Sequence, residues 1–198
     1  MKVIALDPGH GGKDPGAVGN GLQEKDVVFG TRKQSAVLIA DGMAQRIAHY
    51  LRKAGMGVVL TRTQDVNPSK RARAAAAGKA GAVAFVSLHC NASTRVLANG
   101  CEVWYSHRGY SDRARSLASE ILDALLELDG LFSRGIKSSR SSSRADAVLK
   151  RAAKSMPSVL VELAFITNPE DAQLLASRKW RDSAAREIAM AISGFFAA

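Results

Sequence analysis

Cysteine is scarce. The 198 residues hold two, Cys90 and Cys101, too few for a disulfide framework. Both are read as buried thiols, since spacing alone does not supply the geometry that a bridge needs. Proline is scarce as well, at 5 residues, while 46% of the chain is hydrophobic, and together these argue against disorder. A chain of this length can bury a good core, and neither an internal repeat nor a composition break is visible, so residues 1–198 are expected to form one domain. No window approaches the roughly 20 apolar residues that a membrane helix needs. A leader peptide is not visible either, because Met1-Lys2 runs straight into Val3-Ile4-Ala5-Leu6. Acidic side chains are outnumbered, 18 against 28 basic ones, which leaves a net charge of +10 and an attraction to anionic polymers. Nucleic acid would feel that charge, but helix-turn-helix, zinc-finger and aromatic RNA-binding patterns are all missing, and no nucleic-acid partner is expected.

What the sequence does contain is a few polar residues at the ends of apolar runs. Val3-Ile4-Ala5-Leu6 reads as a buried strand, and Asp7-Pro8-Gly9-His10-Gly11-Gly12 as the loop leaving it. His10 then sits at a strand's carboxyl edge, where open α/β sheets place their chemistry. Ala82-Val83-Ala84-Phe85-Val86-Ser87-Leu88 reads as a central strand with His89 at its end, before Asn91 and Ser93. Glu24, ahead of Lys25-Asp26-Val27-Val28, offers an anionic oxygen at a turn into apolar structure. Two neutral imidazoles and one carboxylate suit Zn²⁺ with a fourth position open to water. Each residue alone also has an ordinary structural reading, as a turn residue, a satisfied core histidine or a carboxylate favouring a helix dipole. Glu162 is harder to explain that way, because it lies inside Val159-Leu160-Val161-Glu162-Leu163-Ala164-Phe165. A carboxylate there is desolvated at a cost of several kcal/mol, and its pKa rises towards that of a general base. Cys90 follows His89 on a strand, so it should face away from the metal.

The rest reads as ordinary α/β sequence. Ser35 is expected to cap a helix whose Ile39, Met43, Ile47 and Leu51 form one apolar stripe ending before Gly55. Strands are expected at 57–61 and 102–105, and helices at 71–79, 111–128 and 180–196. Asn168-Pro169-Glu170-Asp171 opens another helix. Ser138-Ser139-Arg140-Ser141-Ser142-Ser143-Arg144 reads as a flexible basic stretch. His49 and His107 are placed off the site. Asp7 either orients an imidazole or fixes the turn at Pro8, and Asn91 is a candidate substrate contact.

Taken in order, several motifs resemble the zinc-dependent N-acetylmuramoyl-L-alanine amidases. They are Leu6-Asp7-Pro8-Gly9-His10-Gly11-Gly12-Lys13-Asp14-Pro15-Gly16-Ala17, Gln23-Glu24-Lys25-Asp26-Val27, Val58-Val59-Leu60-Thr61-Arg62 and Ser87-Leu88-His89-Cys90-Asn91-Ala92. Gly100-Cys101-Glu102-Val103, Arg134-Gly135-Ile136-Lys137 and the run from Val159 through Glu162 to Asn168-Pro169-Glu170 complete the set. The resemblance implies that His10, Glu24 and His89 bind one Zn²⁺ per chain and that Glu162 is the catalytic carboxylate. It implies a single α/β domain with a mostly parallel or mixed sheet of about six strands and helices on both faces, and since the sequence shows neither a repeat nor a second domain, no separate cell-wall-binding domain is expected. The implied reaction is hydrolysis of the amide between the lactyl group of N-acetylmuramic acid and L-alanine. The partners are then peptidoglycan and, through the basic surface, anionic envelope polymers, with the chain acting as a monomer at the bacterial cell wall. Lacking a leader, it reads as a phage endolysin made in the cytoplasm or a bacterial amidase domain separated from its leader. One departure is a segment about ten residues longer than the family pattern, with Phe29-Gly30-Thr31-Arg32-Lys33-Gln34 as the extra stretch. Two rivals stay open: a zinc peptidase cutting elsewhere on the stem peptide, and a non-catalytic basic wall-binding domain.

Overall fold

The computed structural model describes residues 1–30 and 41–197. In chain order the elements are β1 (Val3–Pro8), two short strands β2 (Val18–Gly19) and β3 (Leu22–Gln23), α1 (Glu24–Phe29), α2 (Met43–Lys53), β4 (Gly57–Leu60), α3 (Lys70–Lys79), β5 (Ala82–Asn91), β6 (Cys101–Tyr105), α4 (Ser111–Leu126), β7 (Ser133–Ser138), α5 (Ser143–Leu149), β8 (Ser158–Phe165), α6 (Pro169–Ala176) and α7 (Arg178–Ala197). Six strands form one mixed sheet in the order β4-β1-β5-β8-β6-β7. The first four run parallel, β6 lies antiparallel to β8, and β7 runs parallel to β6. The expected sheet of about six mostly parallel strands is therefore present.

Alternation along the strands divides the core in two. Ile4 and Leu6 of β1, Ala84, Val86, Leu88 and Cys90 of β5, Val159, Val161 and Leu163 of β8, and Val103 of β6 point into the larger cluster with α2, α4 and α7. The alternate residues Ala5, Phe85 and Leu160 pack in a smaller cluster with Ala77 of α3 and Leu149 of α5. Asp7, Ser87, His89, Glu162, Glu102 and Trp104 share the parity of that second set, so the polar residues of four strands collect on one face. Cys90 lies on the opposite side from His89, and both cysteines are buried free thiols.

Two sequence expectations need correction. Helix α2 starts at Met43, with Gly42 as its N-cap in extended backbone (φ −79°, ψ 177°), so the helix does not run back to Ser35. Gly42 lies so close to Phe29 that an added Cβ would come within 2.2 Å of its carbonyl carbon, and this contact sets the helix start. Met43, Ile47 and Leu51 are buried as the stripe requires, while Ser35 and Ile39 lie outside the described residues. Of the presumed extra stretch, Phe29 belongs to α1 and Gly30 is its C-cap, with the remainder outside the described residues. The serine-rich stretch is not a loose loop. It is the end of β7, a 3₁₀ turn over Ser139–Ser141 and the start of α5. Its serines act as caps: Ser142 Oγ accepts the Ala145 amide at 3.2 Å, and buried Ser139 bonds the His107 ring at 2.9 Å. Low hydrophobicity suggested flexibility where hydroxyl capping supplies order.

Candidate metal centre

The loop after β1 is fixed from beneath by two guanidinium groups. Arg73 donates to Asp7 Oδ1 at 2.9 Å, to the Pro8 carbonyl at 2.7 Å and to the His10 carbonyl at 2.8 Å. Arg62 donates to the Pro8 and Gly9 carbonyls at 3.0 and 2.9 Å and rests on the Phe29 ring. Lys25 donates to the Gly12 carbonyl at 2.8 Å and to Asp65 at 2.9 Å. Asp7 is buried and accepts from Thr61, Arg73 and Ser87, so of its two expected roles it takes the structural one. Within this frame His10 adopts φ +56°, a left-handed conformation that an L-residue holds only when its surroundings enforce it.

Glu24 is the first residue of α1 and follows the β2–β3 hairpin, whose two-residue turn is Asn20-Gly21 with φ +49° and +76°. That pair is the favoured two-residue hairpin turn, and it brings the chain back beside the loop. Glu24 Oε2 accepts the Ala17 amide at 2.8 Å, and Oε1 accepts the Cys90 amide at 3.0 Å. The same Oε1 lies 2.8 Å from His89 Nδ1 and 3.2 Å from His10 Nε2. One ligand atom from each of these three residues falls within 4.8 Å of the others. The two rings meet edge to face, with centroids 5.1 Å apart. Asp14 Oδ2 stands 2.9 Å from the other nitrogen of His10 and sets that ring's orientation. The cluster leaves little spare room: a Cβ at Gly9 would come within 2.4 Å of the His89 ring, and one at Gly16 within 2.5 Å of Glu24 Oε2.

Charge is tightly coupled here. Burial works against protonating His10, but the hydrogen bonds and charges of Glu24 and Asp14 outweigh it and raise the ring to about 9. The same competition raises His89 and holds Glu24 well below the usual carboxylate range.

Glu162 faces His89 across the β5–β8 pair and Glu102 across the β8–β6 pair. Burial raises its pKa from an ordinary 4.5 to about 7, with the Glu24 and Glu102 charges adding to the rise and the His89 charge opposing it. Its Oε2 is buried and has no hydrogen-bond partner among the described residues. A cleft of about 870 Å³ opens over this face, bordered by His10, Glu24, His89, Glu162, Trp104 and Arg144.

All four residues singled out in the sequence thus meet in one cleft, and Asn91 lies on its wall. His49 stacks on Tyr50, and His107 bonds Ser139 near Asp146, so neither joins the cluster. Sequence reasoning missed Asp14, Arg62 and Arg73. Nothing in a one-dimensional pattern joins Arg73 to Asp7, but Asp14 stands four residues after His10, and Asn20-Gly21 is a recognisable hairpin signal. Asp14→Asn is expected to lower metal affinity about 10- to 100-fold, the usual cost of removing a ligand's orienting partner. Competition with a chromophoric chelator measures this, and unchanged affinity would leave Asp14 as a loop residue only.

Residues 4–194 match the family model described as N-acetylmuramoyl-L-alanine amidase. N-acetylmuramoyl-L-alanine amidase LytC of Bacillus subtilis is 36% identical over 187 residues, covering 94% of this chain and 34% of the relative. The chain thus spans about a third of that relative's length. N-acetylmuramoyl-L-alanine amidase AmiA of Salmonella typhimurium is 33% identical, covering 98% of this chain and 76% of the relative. Among solved structures, N-acetylmuramoyl-L-alanine amidase AmiC2 of Nostoc punctiforme superposes with a TM-score of 0.82 at 34% identity, covering 100% of this chain and 98% of that one.

Proposed function

From the premise that the chain belongs to the N-acetylmuramoyl-L-alanine amidase family, we propose that it is a zinc hydrolase cutting the amide between the lactyl group of N-acetylmuramic acid and the L-alanine of the peptidoglycan stem. The observation that carries this reading is Glu162, which lines the same cleft as the converging His10, Glu24 and His89 and whose buried Oε2 has no hydrogen-bond partner among the described residues. The donor set fits the metal. Two ligands each about 2.1 Å from a tetrahedral ion stand about 3.4 Å apart. Glu24 Oε1 lies 2.8 and 3.2 Å from the two imidazole nitrogens, so small movements would seat an ion.

A bound Zn²⁺ supplies Lewis-acid polarisation of the scissile carbonyl and brings the pKa of water to about 7. The remaining chemistry belongs to the chain. The Glu162 carboxylate accepts a proton from the attacking water and returns it to the alanine nitrogen, so that one side chain serves first as base and then as acid. A pKa of about 7 suits both duties near neutrality. Asp14 holds the His10 ring, and the frame built on Arg62 and Arg73 holds the loop. The net charge of +10 draws the protein, acting as a monomer, to anionic wall polymers, an attraction that weakens with salt.

Digestion of purified sacculi followed by mass spectrometry tests the bond. New lactyl carboxyls beside intact stem peptides are expected. Released amino acids would make the protein a stem peptidase, and undigested sacculi in the presence of zinc would make it a binding domain. Chelation should stop digestion and added zinc restore it.

A further inference from the structure

Beyond Glu162 the cleft continues into a second pocket of about 600 Å³, which shares Asn91, Ala92 and Glu102 with the first. Its charge is one-sided. Arg95, Arg134 and Lys137 line it against a single carboxylate, Glu102. That carboxylate is buried and accepts from Lys137 at 2.5 Å, Arg134 at 3.0 Å and Trp104 at 2.9 Å. Burial alone would raise its pKa, yet these partners hold it below the usual range, so it stays charged and keeps both cations in place. Arg134 also lies over the Phe165 ring at 4.9 Å, and Lys137 over Trp104 at 5.4 Å. Two ordered, partly exposed cations therefore face this pocket with hydrogen-bonding capacity to spare.

We propose, resting on the amidase reading above, that this pocket is a carboxylate subsite for the stem peptide. Arg134 and Lys137 would bind the free carboxylate of the residue that follows L-alanine. Geometry supports the assignment. Glu102 is paired directly with Glu162, and Lys137 is in register with Trp104 on the next strand out. The cations therefore stand one to two strand spacings from Glu162, about 5–10 Å. An extended peptide advances about 3.3–3.6 Å per residue, which puts a carboxylate on the second stem residue in that range. The muramoyl side of the scissile bond carries no charge once its lactyl group is in amide linkage. A cationic pocket thus belongs to the peptide side, and it makes the charge state of the second residue a determinant of specificity.

Two muramoyl peptides that differ only in bearing a carboxylate or a carboxamide on the second residue test the subsite with zinc-loaded protein. The carboxylate substrate is expected to be favoured about 10-fold or more in kcat/KM, with the difference carried by KM, since a charge-assisted pair is lost in the other. Arg134→Gln with Lys137→Gln should bring that ratio close to 1, and the exchange Arg134→Lys with Lys137→Arg should restore most of it. Glu102→Gln should move the ratio the other way and widen the preference, because it frees both cations without leaving an unpaired anion. A merely structural role would not produce opposite signs. Equal kcat/KM on the two substrates, or no widening in Glu102→Gln, overturns the proposal even if the double variant fails to fold. If neither substrate is cut, the amidase reading fails on its own account. Calorimetry with the free acidic dipeptide and its amide then decides the subsite, and equal affinities overturn it.

Discussion

Glu162→Gln is expected to keep its zinc and its fold while turnover falls about 10²- to 10⁴-fold, the range for losing a general base. The substitution keeps the side chain's shape and removes the basic oxygen. Stability adds an independent reading on the metal-free protein. The folded state holds the Glu162 proton to about pH 7, whereas the unfolded chain releases it near 4.5, so the native fold bears a cost that starts near pH 4.5 and is complete above about 7. Glutamine carries no such cost. The variant should therefore melt at a higher temperature than the parent at pH 8, and the gap should close as pH falls to 4. Loss of zinc alongside activity would instead make Glu162 a ligand, and near-normal turnover would end its role as base.

His89→Ala is expected to strip the protein of metal. Glu24 Oε1 bonds both imidazoles, and removing one leaves two protein ligands, a poor site for Zn²⁺. The loss should exceed the roughly 10- to 100-fold cost of an orienting partner such as Asp14. The truncation also opens space under Gly9, whose position is packed against the His89 ring, but it leaves the Cys90 amide bonded to Glu24. Elemental analysis after dialysis provides the check. Full zinc occupancy in His89→Ala would remove that residue from the centre.

Much of this was legible before any coordinates. Polar residues at the end of or inside apolar runs did most of the work: His89 lies at the end of the β5 run, Glu162 interrupts that of β8, and alternation turns Cys90 away from His89, while the shared face of His89 and Glu162 comes from the β5–β8 register. What could not be read was whatever depends on long-range pairing. The helix boundary at Met43 is set by Gly42 packing on Phe29, a contact between α1 and α2 that apolar spacing does not encode. The Arg73–Asp7 pair joins residues 66 positions apart, so composition showed two charges and not their union. The Ser/Arg stretch misled in the other direction, because serine favours both loops and helix caps and only the neighbouring Ala145 amide and His107 ring decide between them.

The frame of guanidinium-held carbonyls beneath His10 bears on what removing the proposed ion would do to the fold. In small zinc domains the fold comes into being with the metal, so a chelator denatures them. Here the carbonyls of Pro8, Gly9, His10 and Gly12 are all satisfied by Arg62, Arg73 and Lys25, and the loop keeps its shape from within the protein. On the proposed zinc reading, taking the ion away should therefore silence the protein without unfolding it, and a chelator should stop digestion while leaving the melting transition in place.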